Sequence, residues 1–213
     1  MKKRDFKDSL YASIAGITKA FSNANRLEII DLLANGEKTV EQIALQTAIS
    51  ISNASQHLKV LKNSRLVKSR RDGQFIWYTL NSVKVMAAWQ ALRDLAMKHE
   101  PDVQNTLHQF RISLGNADSV SYQRGYDETR VFFLDVRPVD EFVAGHMLNA
   151  QSIPLDELPY RMAELPRDKT IISYCRGPFC SLADEAVQLL LSNGFVAVRL
   201  EEGFLDLTLL SRS

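Results

Sequence analysis

Apolar residues recur at helical spacing through the first hundred residues of the chain. Leu10, Ile14 and Ile17 follow this period near the start, and Val85 and Trp89 follow it again later. From about residue 130 the pattern changes to short apolar runs, VFFLDV, TIISYC and VAVRL, which alternate with amphipathic helices. Strands that alternate with helices indicate βαβ units and a parallel sheet. The pattern therefore predicts two domains, the first mainly α and the second α/β.

The change of pattern falls in a segment of turn-forming residues. Pro101 stops the preceding helix, and Gly115 opens a stretch rich in Asn, Asp and Ser, so the boundary is placed near residue 115. We predict a first domain over residues 1–100, a linker over 101–118 and a second domain over 119–213.

Composition limits where the chain can act. The 213 residues are 46% hydrophobic and carry a net charge of +1, so any signal for nucleic-acid binding must be local. No stretch approaches the roughly 20 apolar residues that a membrane span needs. The two cysteines, Cys175 and Cys180, are too few for a secreted disulfide scaffold. We therefore expect a cytoplasmic protein with no membrane partner.

A helix-turn-helix is predicted between residues 25 and 67. The segment reads as three helices with breaks at Asn35-Gly36 and at residues 48–50, and Thr39 with Gln42 forms a capping box that begins the second helix. The third helix, about 52–63, turns Ala54, Leu58 and Leu61 inward and leaves a polar face. Such a face has the donors and acceptors that read base edges and phosphates.

A basic hairpin follows this helix. Two β-rich runs flank Asp72-Gly73, a strong hairpin signal, and six Lys or Arg residues with no acidic residue lie between Gln56 and Arg71. We interpret the helix and the hairpin as one DNA-contacting surface, with His57 contacting a phosphate. The predicted contact residues are Ser52, Asn53, Ser55, Gln56, His57, Lys59, Lys62, Arg70, Arg71 and Gln74.

Residues 10–98, and above all NRLEIIDLL and SNASQHLKVLKNSRLVKSRRDGQFIWYTL, resemble the ArsR family of winged-helix repressors. The resemblance implies a homodimer built on the first and last helices of the domain, with two recognition helices in successive major grooves of a palindromic double-stranded operator. The alternative is that the polar face and the basic cluster are only solvated surface.

Members of this family often sense metals, but the cysteine ligands that such sensors use are absent from this half of the chain. Glu37, Glu41, His99, Glu100 and His108 are the candidate ligands near the helices, and none are spaced to close a tetrahedral site. We predict no metal site and no cofactor.

Cys175 lies in a loop between a predicted strand and the start of a predicted helix, a place that can bind an anion. The strand TIISY leads into Cys175, the loop runs through Arg176 to Cys180, and Ser181 opens a helix. Backbone N–H groups in such a loop and the positive end of a helix dipole favour a thiolate and also a persulfide. Arg176 is predicted to add positive charge.

This loop, with LDVRPVDEFVAGHMLNAQSIP before it and GFVAVRLEEGF after it, resembles a single rhodanese domain over about residues 119–210. The resemblance implies that Cys175 carries a persulfide, and that Asp135, Arg137 and His146 are framework residues. The common loop reads C-x-x-G-x-R, whereas here Pro178 replaces the glycine and Cys180 replaces the arginine. Cys180 thus becomes a candidate resolving thiol, and the alternative is a small apolar residue at the helix start.

Three hypotheses follow from the two resemblances. The first is a regulator, expected to be a repressor, whose rhodanese-like domain senses reactive sulfur species or another small sulfur donor through Cys175 and Cys180. The second is a sulfurtransferase that passes sulfane sulfur from a Cys175 persulfide, with DNA binding as a separate function. The third is a degenerate domain kept for dimer packing. Whether the chain catalyses sulfur transfer is left open.

Overall fold

The structure is a computed structural model that describes residues 2–115, 118–123, 126–127 and 129–210, without the side chains of 209 and 210. It divides into two compact units, Met1–Ala96 and Met97–Ser213. The division falls in the last turn of one helix, before the segment 101–118 that we expected to be a linker. Residues 116–117 of that segment and 211–213 of the expected second domain lie outside the described residues.

Unit 1 is helical with a small antiparallel sheet, as the first domain was predicted to be. Its helices and strands follow one another along the chain as α1 (Lys3–Phe21), α2 (Ala24–Ala34), β1 (Lys38–Thr39), α3 (Val40–Gln46), α4 (Ile51–Asn63), β2 (Val67–Asp72), β3 (Phe75–Leu80) and α5 (Val83–His99). The sheet order is β1-β3-β2, and β2 and β3 form the predicted hairpin. The hairpin loop is Gly73-Gln74, in which Gly73 has a φ of +59° that favours glycine.

Side chains from every helix of this unit close one core. Ile29 and Ile30 of α2, Ile43 of α3 and Leu58 of α4 are each fully buried there. Trp89 of α5 joins this core, and its indole nitrogen donates to the Asp31 carboxylate at 2.6 Å. The inward face of the third helix thus matches the face that its sequence predicts.

Unit 2 is an α/β domain, as predicted for the second half of the chain. It contains α6 (Pro101–Ser113), β4 (Ser119–Val120), β5 (Val131–Asp135), α7 (Val139–Ala144), β6 (Gln151–Ser152), α8 (Leu158–Arg161), a 3-10 turn (Met162–Glu164), β7 (Thr170–Tyr174), α9 (Leu182–Ser192), β8 (Ala197–Leu200) and α10 (Phe204–Leu210). The sheet order is β4-β8-β7-β5-β6, with every pair parallel. Helix α9 covers the core on one side through Ala183, Ala186 and Leu190.

Helix α6 occupies most of the segment that we expected to be a linker. Pro101 does end α5, but it also begins α6, because its fixed φ and missing N–H suit the first turn of a helix. Sequence reasoning took the proline as a stop only.

The burial of Leu58 generates a stability prediction. Leu58→Ala should lower the free energy of unfolding of unit 1 by about 2–4 kcal/mol, since the vacated volume sits in a closed core. Val60→Ala on the same helix removes a side chain that is 40% exposed and should change it by less than about 0.5 kcal/mol. Both tryptophans, Trp77 and Trp89, lie in unit 1, so urea unfolding followed by tryptophan fluorescence reports on this unit. Equal effects of the two variants would contradict the assigned core.

Candidate functional site

Local hydrogen bonds fix the start of both helices of the helix-turn-helix. The Thr39 hydroxyl accepts from the Gln42 backbone N–H while the Gln42 side chain accepts from Thr39, which completes the predicted capping box. Ser50 caps α4 by accepting from the Asn53 N–H at 3.2 Å. Between them Ala48 adopts a φ of +53°, which turns the chain sharply enough to bring α4 across α3.

The face of α4 away from the core is polar and open. Its exposed side chains are Ser52, Ser55, Gln56, Lys59 and Lys62, and Asn53 is half-buried. Lys62 donates to the Ser69 hydroxyl of β2 at 2.7 Å, which ties the end of the helix to the hairpin. The helix and the hairpin therefore form one polar, basic surface within unit 1.

Two of the predicted contact residues already have protein partners. His57 is half-buried, and its Nε2 lies 3.3 Å from the Asn25 amide nitrogen. Burial and then the charge of Arg26 lower the pKa of His57, which disfavours its cationic form. Its contact with Asn25 joins α4 to α2.

Arg70 is the second such residue. Its guanidinium forms a two-pronged contact with the Glu37 carboxylate, donates to Asp72 at 2.9 Å, and lies 5.5 Å from the Trp77 ring centroid. Arg71 donates to the Gly73 carbonyl at 3.2 Å, and both it and Gln74 are exposed. Both acidic partners of Arg70, Glu37 and Asp72, lie outside the acid-free stretch of sequence, so the hairpin is less positive than that stretch suggests.

The two cysteines of unit 2 are buried close to one another. Cys175 follows β7 and is 2% exposed, and Cys180 precedes α9 and is 9% exposed. Both are free thiols. The Cys175 Sγ lies 3.3 Å from the Cys180 carbonyl oxygen. Gly177 allows this tight loop with a φ of +137°, which disfavours other residues.

The acidity of the two thiols differs from our expectation. Burial raises the pKa of Cys175 well above its usual value. A hydrogen bond from Cys175 lowers the pKa of Cys180 to about 7, with help from Arg176 and from backbone N–H groups at Arg176 and Leu182. These shifts favour the thiolate at Cys180 rather than at Cys175, since Cys175 serves as the donor.

Arg176 forms an ion pair with Glu141, a residue that sequence reasoning did not assign to the site. Its guanidinium contacts both oxygens of the Glu141 carboxylate at 2.9 and 2.7 Å, and Glu141 is fully buried at the first turn of α7. This pair joins the cysteine loop to the first turn of α7. Glu141 lies within the segment LDVRPVDEF that contributes to the rhodanese resemblance, and this was its sequence signal.

Two further arginines hold the loop backbone. Arg199 of β8 donates to the Gly177 carbonyl at 3.0 Å, and Arg111 of α6 donates to the Pro178 carbonyl at 3.4 Å. Both also contact Asp184 in the first turn of α9. Arg111 lies in the segment that we expected to be a linker, which is why sequence reasoning missed it.

The expected framework residues make close contacts within unit 2. Arg137 donates to the Asp135 carboxylate at 2.6 Å and to the Gly145 carbonyl at 2.8 Å, and both members of this pair are fully buried. His146 stacks on Phe142 with ring centroids 3.8 Å apart. Gly203 packs so closely on the backbone of Arg176 that a Cβ there would overlap it. These contacts fix the walls around the loop.

Comparison with known proteins places both units in established families. The model of the bacterial regulatory protein, arsR family, matches residues 23–69, and that of the rhodanese-like domain matches residues 119–208. HTH-type transcriptional regulator Rv0324 of Mycobacterium tuberculosis is 36% identical over 203 residues, which is 95% of this chain and 90% of that protein. The chain belongs to the ArsR family of bacterial transcriptional regulators. It carries a rhodanese-like domain in addition.

Other similar proteins match shorter stretches of this ArsR-family regulator. The transcriptional repressor SdpR of Bacillus subtilis is 41% identical over 66 residues, which is 31% of this chain and 73% of that one. The solution structure of a homodimeric winged helix-turn-helix DNA-binding domain from Mycobacterium bovis is 35% identical. It covers 47% of this chain and 91% of that one, with a TM-score of 0.44.

The described part of this ArsR-family chain has neither a cluster of metal-ligating side chains nor a membrane-spanning helix. Within residues 2–115, 118–123, 126–127 and 129–210, no three His, Cys, Asp or Glu side chains are grouped as a metal ion would require. Over the same residues, no helix is both long and apolar enough to cross a membrane.

The hydrogen bond between the thiols generates a pH prediction. The ultraviolet absorbance of the thiolate should appear with a midpoint near pH 7 in the reduced protein, because Cys180 loses its proton first. Cys175→Ala removes the donor and should raise that midpoint, whereas Cys175→Ser keeps a hydroxyl donor and should raise it less. A midpoint that is unchanged in Cys175→Ala would contradict the assigned hydrogen bond.

Proposed function

We propose that this ArsR-family regulator is a repressor whose operator affinity is set by the sulfur chemistry of Cys175 and Cys180. The observation that carries the proposal is the pair of free thiols in one buried loop, in a chain that also has a helix-turn-helix and a basic hairpin. The similar repressor of Bacillus subtilis supports the direction of regulation.

The proposed DNA-contacting surface consists of the open face of α4 and the hairpin. Ser52, Ser55 and Gln56 lie in the first half of α4, where a recognition helix meets base edges. Lys59, Lys62 and Arg71 are placed to contact phosphates, which adds affinity but not sequence specificity. Asn53 and Gln74 complete the surface, and His57 positions α4 through its contact with Asn25 of α2.

A homodimer is proposed from the apolar stripe on α1. Phe6, Leu10, Ile14 and Ile17 recur at helical spacing and are each about half exposed within the single chain. Leu95 on α5 is exposed as well. An apolar stripe of this length is typical of a helix that packs against a second copy, which agrees with the dimer that the ArsR resemblance implies.

The proposed chemistry uses an organic persulfide or polysulfide as the sulfur donor. A cysteine thiolate attacks the sulfane sulfur, the S–S bond of the donor breaks, and the donor leaves as a thiolate. The second cysteine then attacks the resulting persulfide, forms a Cys175–Cys180 disulfide and expels sulfide. Two thiols are oxidised and one sulfane sulfur is reduced, so the electrons balance.

Two orders of attack lead to the same disulfide. The lowered pKa of Cys180 favours Cys180 as the first nucleophile, with Cys175 as the resolving thiol. The rhodanese resemblance implies the reverse order, in which Cys175 carries the persulfide and Cys180 resolves it. The burial of both thiols favours this stoichiometric reaction over repeated turnover as a sulfurtransferase.

Operator binding before and after sulfur treatment tests the function. A duplex is first selected from a random-sequence pool with the reduced protein, and its fluorescence anisotropy is then followed at fixed salt, because phosphate contacts make the affinity salt-dependent. Polysulfide should weaken binding by about 5- to 150-fold, the range typical of allosteric coupling.

Cys175→Ser and Cys180→Ser are the matched controls for this measurement. Each should bind the duplex like the reduced wild type and should respond weakly to polysulfide, since neither can form the bridge. Unchanged binding by treated wild type would overturn the sensor function. Rapid turnover with a thiol acceptor in that case would favour the sulfurtransferase instead.

The contact between Glu37 and Arg70 gives a separate prediction for the surface. Glu37→Gln removes one of the two acidic partners of Arg70 and leaves Asp72 as the other. It should strengthen binding to nonspecific DNA about two- to fivefold and steepen the salt dependence by about one phosphate contact. Asp8→Asn removes an acidic partner of Arg4 on α1, away from the proposed surface, and should have no such effect. Equal effects of both variants would show that the hairpin has no special part in DNA binding.

A further inference from the structure

The buried carboxylate of Asp184 in unit 2 lies between two guanidinium groups. Asp184 has one oxygen 3.1 Å from the Arg199 Nε and the other 3.3 Å from the Arg111 Nε. The exposed fractions of the three side chains are 5% for Asp184, 1% for Arg199 and 18% for Arg111. The cluster therefore holds two positive charges against one negative charge in a place that water barely reaches.

The same two arginines reach the loop between the cysteines. Arg199 donates to the carbonyl of Gly177 and Arg111 to that of Pro178. The Arg199 Nη1 is buried and has no hydrogen-bond partner among the described residues. A buried guanidinium whose hydrogen bonds and charge are incompletely matched has capacity left for a nearby anion.

We propose that Arg111 is a positioning residue of the cysteine loop, which takes a share of the Asp184 carboxylate and so leaves part of the Arg199 charge to stabilise an anion at Cys175. The loop has Cys180 where rhodanese-like loops commonly have their second arginine. The positive charge near Cys175 then comes from Arg199 of β8, and Arg111 of α6 determines how much of that charge is available to an anion. Without Arg111, the Asp184 carboxylate would pair with Arg199 only, and less of the Arg199 charge would remain for an anion at Cys175.

The direction of the charge effects agrees with this arrangement. Arg199 lowers the pKa of Cys175 against the larger effect of burial, whereas Arg176 is the arginine that lowers the pKa of Cys180. Burial and then Arg199 lower the pKa of Arg111, as expected for two close guanidinium groups. The charged or titratable groups around the loop are Cys180, Arg176, Glu141, Asp184, Arg199, Arg111 and Glu201.

Thiol titration in a single-cysteine background tests the proposal. With Cys180→Ser present, Arg111→Gln should raise the pH midpoint of the Cys175 thiolate absorbance and slow its alkylation at pH 7 by about threefold or more. Arg111→Lys retains a cation and should restore most of the rate. Asp184→Asn should change the midpoint in the opposite direction, because it frees both guanidinium groups.

The opposite signs separate this role from a merely structural one. If the two residues only held the fold, Arg111→Gln and Asp184→Asn would change the midpoint in the same direction or leave it unchanged, and either result would overturn the proposal. Near-ultraviolet circular dichroism checks that each variant is folded. If Arg111→Gln fails to fold, Asp184→Asn alone tests the proposal, because it should lower the pH midpoint of the Cys175 thiolate. A midpoint that rises or stays unchanged in Asp184→Asn contradicts the proposal.

Cys180 provides an internal control. In a Cys175→Ser background the same Arg111→Gln substitution should change the Cys180 midpoint less than it changes that of Cys175, since Arg176 supplies the charge near Cys180. An equal change at both cysteines would contradict the assigned route through Arg199. None of these measurements involves DNA, so failure of the sulfur response in operator binding would overturn the proposed function and leave this inference standing.

Discussion

Buried arginine side chains hold the cysteine loop, and the chemistry of unit 2 depends on that constraint. Residues 175–180 pass from the end of β7 to the start of α9 without joining a strand or a helix. Arg199 and Arg111 bind two of the loop carbonyls, and Arg176 is itself fastened to Glu141. Guanidinium groups suit this task because they stay charged and offer several donors in a fixed plane. The loop therefore keeps two thiols together in a buried site.

The loop and α6 are joined by the same contacts. Arg111 brings α6 into the wall of the cysteine site, and α6 follows α5 in the chain after the single residue Glu100. A disulfide between the two cysteines would have to displace the contact between the Cys175 thiol and the Cys180 carbonyl. Rearrangement of the loop would thus act on the carbonyls that Arg111 and Arg199 hold. The proposed sulfur reaction would in this way change the environment of a helix that follows closely on unit 1 in the chain.

Sequence periodicity and caps predicted most of the fold, because these signals are local. The capping box at Thr39, the inward face of α4 and the hairpin after it depend on residues a few positions apart. The role of Pro101 was ambiguous, since a proline both ends one helix and can begin the next. Spacing alone could not decide between these two outcomes.

The residues that sequence reasoning missed are long-range partners. Glu141 is 35 positions from Arg176, and Arg111 is 73 positions from its partner Asp184. Likewise Glu37 is 33 positions from Arg70, so a count of charges near the hairpin overstated its positive charge. The acidity of the thiols also depended on burial, which composition does not reveal. Local patterns located the cysteine loop, and only the tertiary contacts show what controls it.

The most direct test of this account is the intact mass of the reduced protein after brief treatment with an organic persulfide. The account predicts a wild-type chain that loses two hydrogen atoms as the Cys175–Cys180 disulfide forms, with a single added sulfur trapped instead in each single-cysteine variant. Digestion should map both changes to the peptide that contains residues 175–180. A wild-type mass that stays unchanged while free thiols remain would contradict the central claim that this loop is a sulfur-reactive site.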